Sequence, residues 1–264
     1  MSRLRLRLGQ LALLFWLFAA WYLATARGLH GFDVQARLFF GEPREVATRL
    51  WAWFVRDRDI YPHLGVTLVE TLLAFVLGSC FGLGAGLWLG CSERAGALLE
   101  PYLSAANAMP RIILAPIFGV WLGLGIASKV ALGITLVFFV VFYNVHQGVR
   151  QVDPVVLASV RMLGASRRQL LRHVYLPSAL AFTFGSLHSA VGLAFVGAVV
   201  GEYLGSAMGV GYLIHQAEGV FDASTVVAGI LLLTVCALCL DAGVARVEQR
   251  LLHWRPRPEL REPL

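Results

Sequence analysis

Several polar or ionisable side chains lie in or beside long apolar stretches of this sequence: Glu70, Asn107, Arg111, Asn144, His146, His188 and Glu202. A charge in hydrocarbon is costly unless it meets water, a partner or a cavity, so such residues mark ion or solute pathways by default. His188, in FGSLHSAVGLAF, is the first candidate for a pathway residue, followed by Arg111 and Glu202. The alternatives are a histidine satisfied by a neighbouring helix, an arginine that extends to the inner headgroups, and a glutamate that faces the outer headgroups.

Motifs of common enzymes are absent from the sequence. It has no HExxH, no GxSxG and no constellation of paired carboxylates. It also lacks the phosphate-binding loop GxxxxGK[ST], and its single lysine, Lys129, lies in IASKVAL. Cys236 and Cys239 have the spacing of metal ligands, but they lie in an apolar run without a second pair, which favours small buried residues. We therefore predict no catalytic residue, no metal site and no cofactor in this chain.

The composition predicts that these side chains are held by membrane-spanning helices. Hydrophobic residues make up 58% of the chain and charged residues 14%, whereas charged residues are about 25% of a soluble domain. The mean hydropathy is +0.71. A span needs about 20 mainly apolar residues, and the candidate spans are 9–26, 65–90, 99–124, 128–146, 180–203 and 224–244. The predicted fold class is an all-α membrane protein with about six transmembrane helices.

The distribution of arginine predicts that both chain ends are cytoplasmic, because Lys and Arg are retained on that side. Arginines are concentrated in the start MSRLRLR, in the loop 147–178 and in the tail, and the loop 204–223 has none. The segment 28–62 argues against this topology, since it would lie outside and yet holds five arginines and five acids.

The N-terminal part of the chain leaves two further questions open. The stretch EVATRLWAWFV predicts an amphipathic helix in the outer interface, with Trp51, Trp53 and Phe54 as anchors. The first apolar run could be a signal peptide, because Ala24-Thr25-Ala26 resembles a cleavage site, but its length favours a retained span.

Glycines and prolines predict how two of the spans pack. Gly78, Gly82 and Gly86 recur every four residues on one helical face, which lets another helix approach closely. The alternative is a glycine-tolerant span with no tight partner. In the third candidate span, Pro110 and Pro116 each remove a backbone donor and can kink the helix.

The loop 147–178 predicts two short helices joined by a glycine turn. Asp153-Pro154 is a helix start, Gly164 suits a left-handed break, and Ser166 with Gln169 forms a capping box. Pro177 predicts the end or a bend of the second helix. That helix has an apolar and a basic face, formed by Leu170, Leu171, Val174 and Tyr175 and by Arg168, Gln169, Arg172 and His173. A DNA-reading motif, a helix resting on anionic lipid and a docking element for a cytoplasmic partner are the competing interpretations.

The same loop resembles a signature of bacterial ABC importer permeases, E-A-A-x3-G-x9-I-x-L-P, which precedes their penultimate span. Gly164 is followed after nine residues by Val174-Tyr175-Leu176-Pro177, whereas Ala158, Ser159 and Val160 replace the opening triad, so its Glu is missing. MPRIILAPIFGVWLGLGIASK, FYNVHQGVRQVDP and GEYLGSAMGVGYLI resemble the nitrate/sulfonate/taurine branch of these importers. The resemblance covers about residues 62–254.

This resemblance implies a type I ABC importer permease architecture. It divides the chain into an N-terminal span and outer interfacial segment at 1–61, a permease core at 62–250 with a coupling loop at about 150–178, and a cytoplasmic tail at 251–264. The coupling helix would bind an ATPase subunit through residues that match the signature or flank it: Ala158, Ser159, Gly164, Ala165, Arg167, Arg168, Arg172, Leu176 and Pro177.

The partners implied by the resemblance are ABC ATPase subunits, which would bind ATP and Mg, and a periplasmic or lipid-anchored solute-binding protein. A permease homodimer in the lipid of the bacterial inner membrane is the simplest assembly, and no nucleic acid is implied. The solute would be small, such as nitrate, a sulfonate or a taurine-like molecule. An ion-coupled secondary transporter is the alternative function.

Overall fold

The computed structural model describes residues 3–25 and 39–251, and most of this backbone is helical. The N-terminal part holds α1 (Arg3–Thr25), α2 (Pro43–Trp51) and a π-helical turn (Ala52–Arg56). The central part holds α3 (Ile60–Cys91), α4 (Glu93–Ala108), a 3-10 turn (Arg111–Ile113), α5 (Leu114–Leu122) and α6 (Ile126–Arg150). The remainder holds α7 (Pro154–Met162), α8 (Arg167–Leu170), a π-helical turn (Leu171–Tyr175), α9 (Leu176–Gly205), α10 (Val210–Gly219) and α11 (Ala223–Leu251). The predicted tail lies outside the described residues from 252 onward.

Five helices in the described part of the chain are long and apolar enough to cross a membrane: α1, α3, α6, α9 and α11. A sixth apolar segment is formed by α4 and the helical stretch 111–122, which meet at an angle of 76°. The break falls at Pro110, whose missing N–H ends the hydrogen-bonding pattern of the helix. Pro116 lies in the first turn of α5, where no donor is needed, so it does not interrupt the helix. The predicted all-α membrane fold is confirmed, with the third span broken.

The predicted glycine face of α3 packs tightly against α6. Glycines and valines pair in register along the two helices: Gly78 with Val137, Gly82 with Val141, Gly86 with Val145 and Gly90 with Val149. A Cβ atom added at Gly86 would lie 2.7 Å from Cβ of Val145, closer than real side chains come. The close partner expected for the glycine ladder is therefore α6, and Gly90 extends the ladder by one turn.

Nearer its N-terminus, α6 packs equally closely against α9, which makes α6 the central helix of the bundle. A Cβ atom at Gly197 would lie 2.4 Å from Cα of Gly133, and one at Gly201 would lie 2.7 Å from Cγ of Lys129. Such backbone contact is the geometry that small residues permit in membrane helices.

The N-terminal helix α2 is fastened to the start of α11. The Ser224 hydroxyl donates a 2.7 Å hydrogen bond to Oε2 of Glu45, and Arg49 donates one of 3.0 Å to Oδ2 of Asp222. Burial acts to raise the pKa of Asp222, but hydrogen bonds from Thr225 and Arg49 outweigh it and lower that pKa. These contacts define the α2 end of the bundle, where α2 and α10 lie; the opposite end carries the 150–178 loop.

The structure corrects one prediction at the α2 end. Trp53 was expected to anchor in the membrane interface, but its side chain is 4% exposed and lies in a hydrophobic core with Val46 and Ile60. Phe54 packs partly against the same core, whereas Trp51 is 65% exposed. The π-helical turn after Trp51 shifts the periodicity of the side chains, so the tryptophans at 51 and 53 face different surroundings.

Candidate functional site

The 150–178 loop begins with a short capped helix. Oδ1 of Asp153 accepts a 2.7 Å hydrogen bond from the backbone N–H of Val155, and Pro154 occupies the first helical position. The missing N–H of proline costs nothing there, since the first amides of a helix have no partner within it. The helix α7 runs from Pro154 to Met162 and ends just before the predicted break at Gly164.

A glycine turn and a second cap follow α7. Gly164 has φ +80°, a conformation that side chains other than glycine rarely adopt. Ser166 then begins α8: its hydroxyl accepts from the N–H of Gln169, and the Gln169 side chain accepts a 2.8 Å hydrogen bond from the N–H of Ser166. The predicted turn and capping box are both present, and together they hold the loop in one conformation.

Pro177 does not end the second helix. The chain stays helical from α8 through a π-helical turn into α9, with Pro177 at the start of α9. In a regular α-helix the proline ring would clash with a backbone carbonyl of the preceding turn, and that carbonyl would lack an N–H donor. The wider π turn gives this carbonyl more room. As a consequence, the loop joins the α9 span through continuous helix instead of a flexible link.

The loop exposes both charge and apolar surface. Arginines 167, 168 and 172 are exposed, as expected, and Leu170 is buried. Met162 and Leu163 were not among the predicted coupling residues, and they are 82% and 87% exposed at the end of α7. The signal available in the sequence was their position: they directly precede Gly164, at the tip of the turn. A large apolar side chain held out on a capped turn indicates a surface that is covered in an assembly.

The predicted ATPase-coupling residues lie on this loop without forming a compact cluster. Ala158, Ser159 and Gly164 are exposed, and Ala165, Leu176 and Pro177 are partly buried. The hydroxyl of Ser159 donates to the carbonyl of Val155 within α7. Ser159, which replaces the first Ala of the signature, thus has a hydrogen-bond acceptor within its own helix.

Among the predicted pathway residues, His188 joins α9 to α11. Its Nδ1 lies 2.7 Å from Oδ1 of Asp241, and its Nε2 lies 3.0 Å from Oε2 of Glu248. The structure thus supplies the neighbouring-helix partners that were the alternative to a pathway role. The side chain remains 35% exposed, so a role in the pathway stays a prediction.

The other two predicted pathway residues lie in different places. Arg111 follows the break between α4 and α5, donates a 2.8 Å hydrogen bond to the carbonyl of Asn107 and also contacts the Asn107 side chain. Its guanidinium lies 4.6 Å from the centre of the Phe139 ring. Glu202 is buried at the α2 end of α9, where it accepts hydrogen bonds from Thr67 and from the N–H of Gly211. The structure does not bring His188, Arg111 and Glu202 together.

We expect His188→Ala to lower the thermal stability of the purified protein, because Asp241 and Glu248 would lose the donor they share. Because these side chains are partly exposed, each lost contact is expected to cost about 1 kcal/mol or less. His173→Ala is a matched control for the melting temperature alone, because His173 hydrogen-bonds the carbonyl of Gln169 on its own exposed turn. Melting curves in detergent and solute uptake should be measured together. Unchanged uptake in His188→Ala would remove this residue from the candidate pathway.

Comparison with protein families decides the class of this protein. Residues 78–253 match the family described as the binding-protein-dependent transport system inner membrane component. The chain belongs to this family. The matched region contains the 150–178 loop and every helix from the glycine ladder of α3 onward. The chain is therefore the permease subunit of an ABC importer, a multi-pass inner-membrane protein that works with ATPase and solute-binding partners.

Curated relatives support this class. The chain is 33% identical to a putative aliphatic sulfonates transport permease of Bacillus subtilis over 75% of this chain and 71% of that one. It is 34% identical to the formylaminopyrimidine transport permease of Halalkalibacterium halodurans over 75% and 79% of the two chains. It is 28% identical to the taurine transport permease of Escherichia coli over 94% and 89%. These matches favour a non-enzymatic transport subunit over an ion-coupled secondary transporter.

The fold agrees with a solved importer. A chain of the MetNI methionine ABC transporter, solved in inward-facing conformations, superimposes with a TM-score of 0.62 at 18% sequence identity. The match covers 70% of this chain and 92% of that one. The permease core thus has the architecture of a known ABC importer permease.

Proposed function

We propose that this permease imports a small sulfonate or taurine-like solute and that its 150–178 loop, hereafter the coupling loop, binds an ATPase subunit. The observation that carries the proposal is a loop that is capped at both helices, joined to the α9 span by continuous helix, and exposed along most of α7. A stiff element of this kind transmits movement, whereas a flexible loop would absorb it. ATP and Mg would be bound by the partner, since this chain has no phosphate-binding loop.

The proposed contact surface of the coupling loop has two parts. Met162 and Leu163 supply exposed apolar area, and Arg167, Arg168 and Arg172 supply positive charge on the following turns. Protein interfaces commonly combine a desolvated apolar centre with a charged rim. The apolar tip would enter the partner, and the arginines would contact its polar groups.

We further propose an orientation and an assembly. The coupling loop and both termini would be cytoplasmic, which the arginines of the loop favour, and the α2 end would face outward. Because one chain supplies one coupling loop and an importer uses two ATPase subunits, a permease homodimer embedded in lipid is the simplest arrangement. The solute-binding protein would then dock at the α2 end.

The solute class is supported by the names of the relatives. Two of the relatives reported above are named for sulfonates and for taurine, which is itself a small aminosulfonate. A third is named for a formylaminopyrimidine, so the permease core alone does not dictate the cargo. We propose the sulfonate class because the taurine relative matches over 94% of this chain.

The test of the coupling proposal is purification of the tagged permease from its own membranes, with the associated proteins identified by mass. We expect an ABC ATPase in equal stoichiometry, and a loss of at least tenfold in its recovery for Leu163→Ser. Val220→Ser is the matched control, since Val220 is also an exposed apolar residue but lies beside α10, at the other end of the bundle. Equal ATPase recovery for both variants would show that the coupling-loop tip is not the contact.

A further inference from the structure

Three ionisable side chains are buried together at the α2 end of the bundle. Glu70 on α3, Lys129 on α6 and Glu202 on α9 each have at most 1% of their surface exposed. Fully buried charges are rare unless they are paired, because the loss of hydration costs several kcal/mol per ion. The cluster is remote from the coupling loop, and the importer function described above does not account for it.

Each of the three side chains has a different set of contacts. Oε1 of Glu202 accepts a 2.6 Å hydrogen bond from Thr67, and its Oε2 accepts one of 2.7 Å from the N–H of Gly211. The ammonium of Lys129 donates to the carbonyl of Leu124, and its charge acts on both carboxyl groups. Oε2 of Glu70 is buried and has no hydrogen-bond partner within residues 3–25 and 39–251.

The two carboxyl groups face the same contact between α3 and α9. Thr67, three residues before Glu70 on α3, donates to Glu202. The charge of Glu202 acts on Glu70, and the charge of Lys129 acts on both. Like charges sharing a buried site leave one of the two groups protonated, as in other carboxyl pairs.

The charge count gives the same answer. With both acids ionised, the buried cluster would hold two negative charges against the single positive charge of Lys129. Among the described residues, the charges that act on Glu70 are those of Glu202 and Lys129. The nearby His63 on α3 accepts a hydrogen bond from the backbone N–H of Gly209. One proton makes the cluster neutral.

We propose that the pair of Glu70 and Glu202 is a proton-binding site that holds one proton, with Glu70 as the neutral acid and Glu202 as the carboxylate. Glu202 is the ionised member because Thr67 and Gly211 both donate to it. The unpartnered oxygen of Glu70 is then the carbonyl oxygen of a neutral acid. Burying an uncharged oxygen without a partner costs much less than burying a charged carboxylate oxygen.

The site joins four elements. Thr67 donates to Glu202 and also accepts a 2.9 Å hydrogen bond from the N–H of Val210 at the start of α10. The carboxyl group of Glu202 lies directly against Gly209, where an added Cβ would come within 2.1 Å of it. With one proton bound, the charges of the cluster cancel. The contact between α3, α6, α9 and the segment that begins α10 is then electrically neutral.

Infrared spectroscopy of the permease–ATPase complex in lipid at neutral pH tests the proposal. We expect wild type to show the C=O band of a protonated carboxyl group and Glu70→Gln to lack it. Lys129→Met is expected to gain a second such band, because Glu202 would take up a proton once its counter-charge is gone. Glu100→Gln is the control, since Glu100 is more than half exposed and paired with Arg150.

Stability provides a second measurement. Glu70→Gln should melt close to wild type, because a neutral amide replaces a neutral acid of the same size. Glu202→Gln should melt on the order of 10 °C lower. The buried ammonium of Lys129 would lose its counter-charge, and the new amide group would place an N–H donor where the carboxylate accepted hydrogen bonds. The proposal is wrong if the wild-type spectrum contains no band that Glu70→Gln removes. It is equally wrong if Glu70→Gln destabilises the complex as much as Glu202→Gln does.

Discussion

Gly164→Pro is expected to abolish ATP-driven uptake while the permease still accumulates in the membrane. Proline fixes φ near −65°, whereas Gly164 has φ +80°, so the turn between α7 and α8 cannot form in the variant. Loss of the turn redirects Met162 and Leu163, which project at the end of α7. The change lies outside the spans, and a Cβ at this position would contact nothing within 4 Å, so the helix bundle should be unaffected.

The matched control for this variant is Gly164→Asn. Asparagine tolerates the left-handed conformation better than other side chains, and the site has open space for it. We expect Gly164→Asn to keep most of the uptake and Gly164→Pro to lose at least tenfold, with equal amounts of both variants in the membrane. Basal ATP hydrolysis by the complex separates loss of coupling from loss of assembly. Wild-type uptake in Gly164→Pro would contradict a role for the turn in coupling.

The coupling loop was predictable because its signals are local. Asp153-Pro154, Gly164 and the Ser166–Gln169 pair each determine the backbone of their own turn, and the structure has all three as expected. The glycine face of α3 was predictable for a similar reason, since a four-residue spacing places residues on one side of any helix. Its partner could not be predicted, because nothing in α3 indicates which helix supplies the valines.

The buried charges could not be predicted, because they depend on contacts between distant parts of the chain. In the sequence, Lys129 was informative only because it does not belong to a phosphate-binding loop. In the structure it is buried near Glu70 and Glu202, which are 59 and 73 residues away in the chain. Trp53 had the pattern of an interface anchor, but a π-helical turn of five residues turns it into the core. His188 was predicted to face the pathway, and its partners on α11 are more than 50 residues further along the chain.

Gly86→Leu is expected to disrupt the bundle, whereas Gly84→Leu is expected to be tolerated. At Gly86 even a Cβ atom would lie 2.7 Å from Val145 and 2.9 Å from the carbonyl oxygen of Phe142. At Gly84, two residues away on the opposite face of α3, it would meet nothing within 4 Å. The two variants add the same apolar side chain to the same helix, so the difference between them reports packing alone.

The expected loss for Gly86→Leu is about 3 kcal/mol or more, at the upper end of overpacking, because the obstacle includes backbone that cannot rotate away. The helices would have to separate along the Gly78–Gly90 ladder, since the glycines of α3 and the valines of α6 pair in register along its length. The measurement is the melting temperature and the monodisperse yield in detergent of both variants beside wild type. Equal behaviour of Gly84→Leu and Gly86→Leu would show that α3 and α6 are not held by this contact. A defect confined to Gly86→Leu would establish that close contact along the glycine ladder holds α3 against α6.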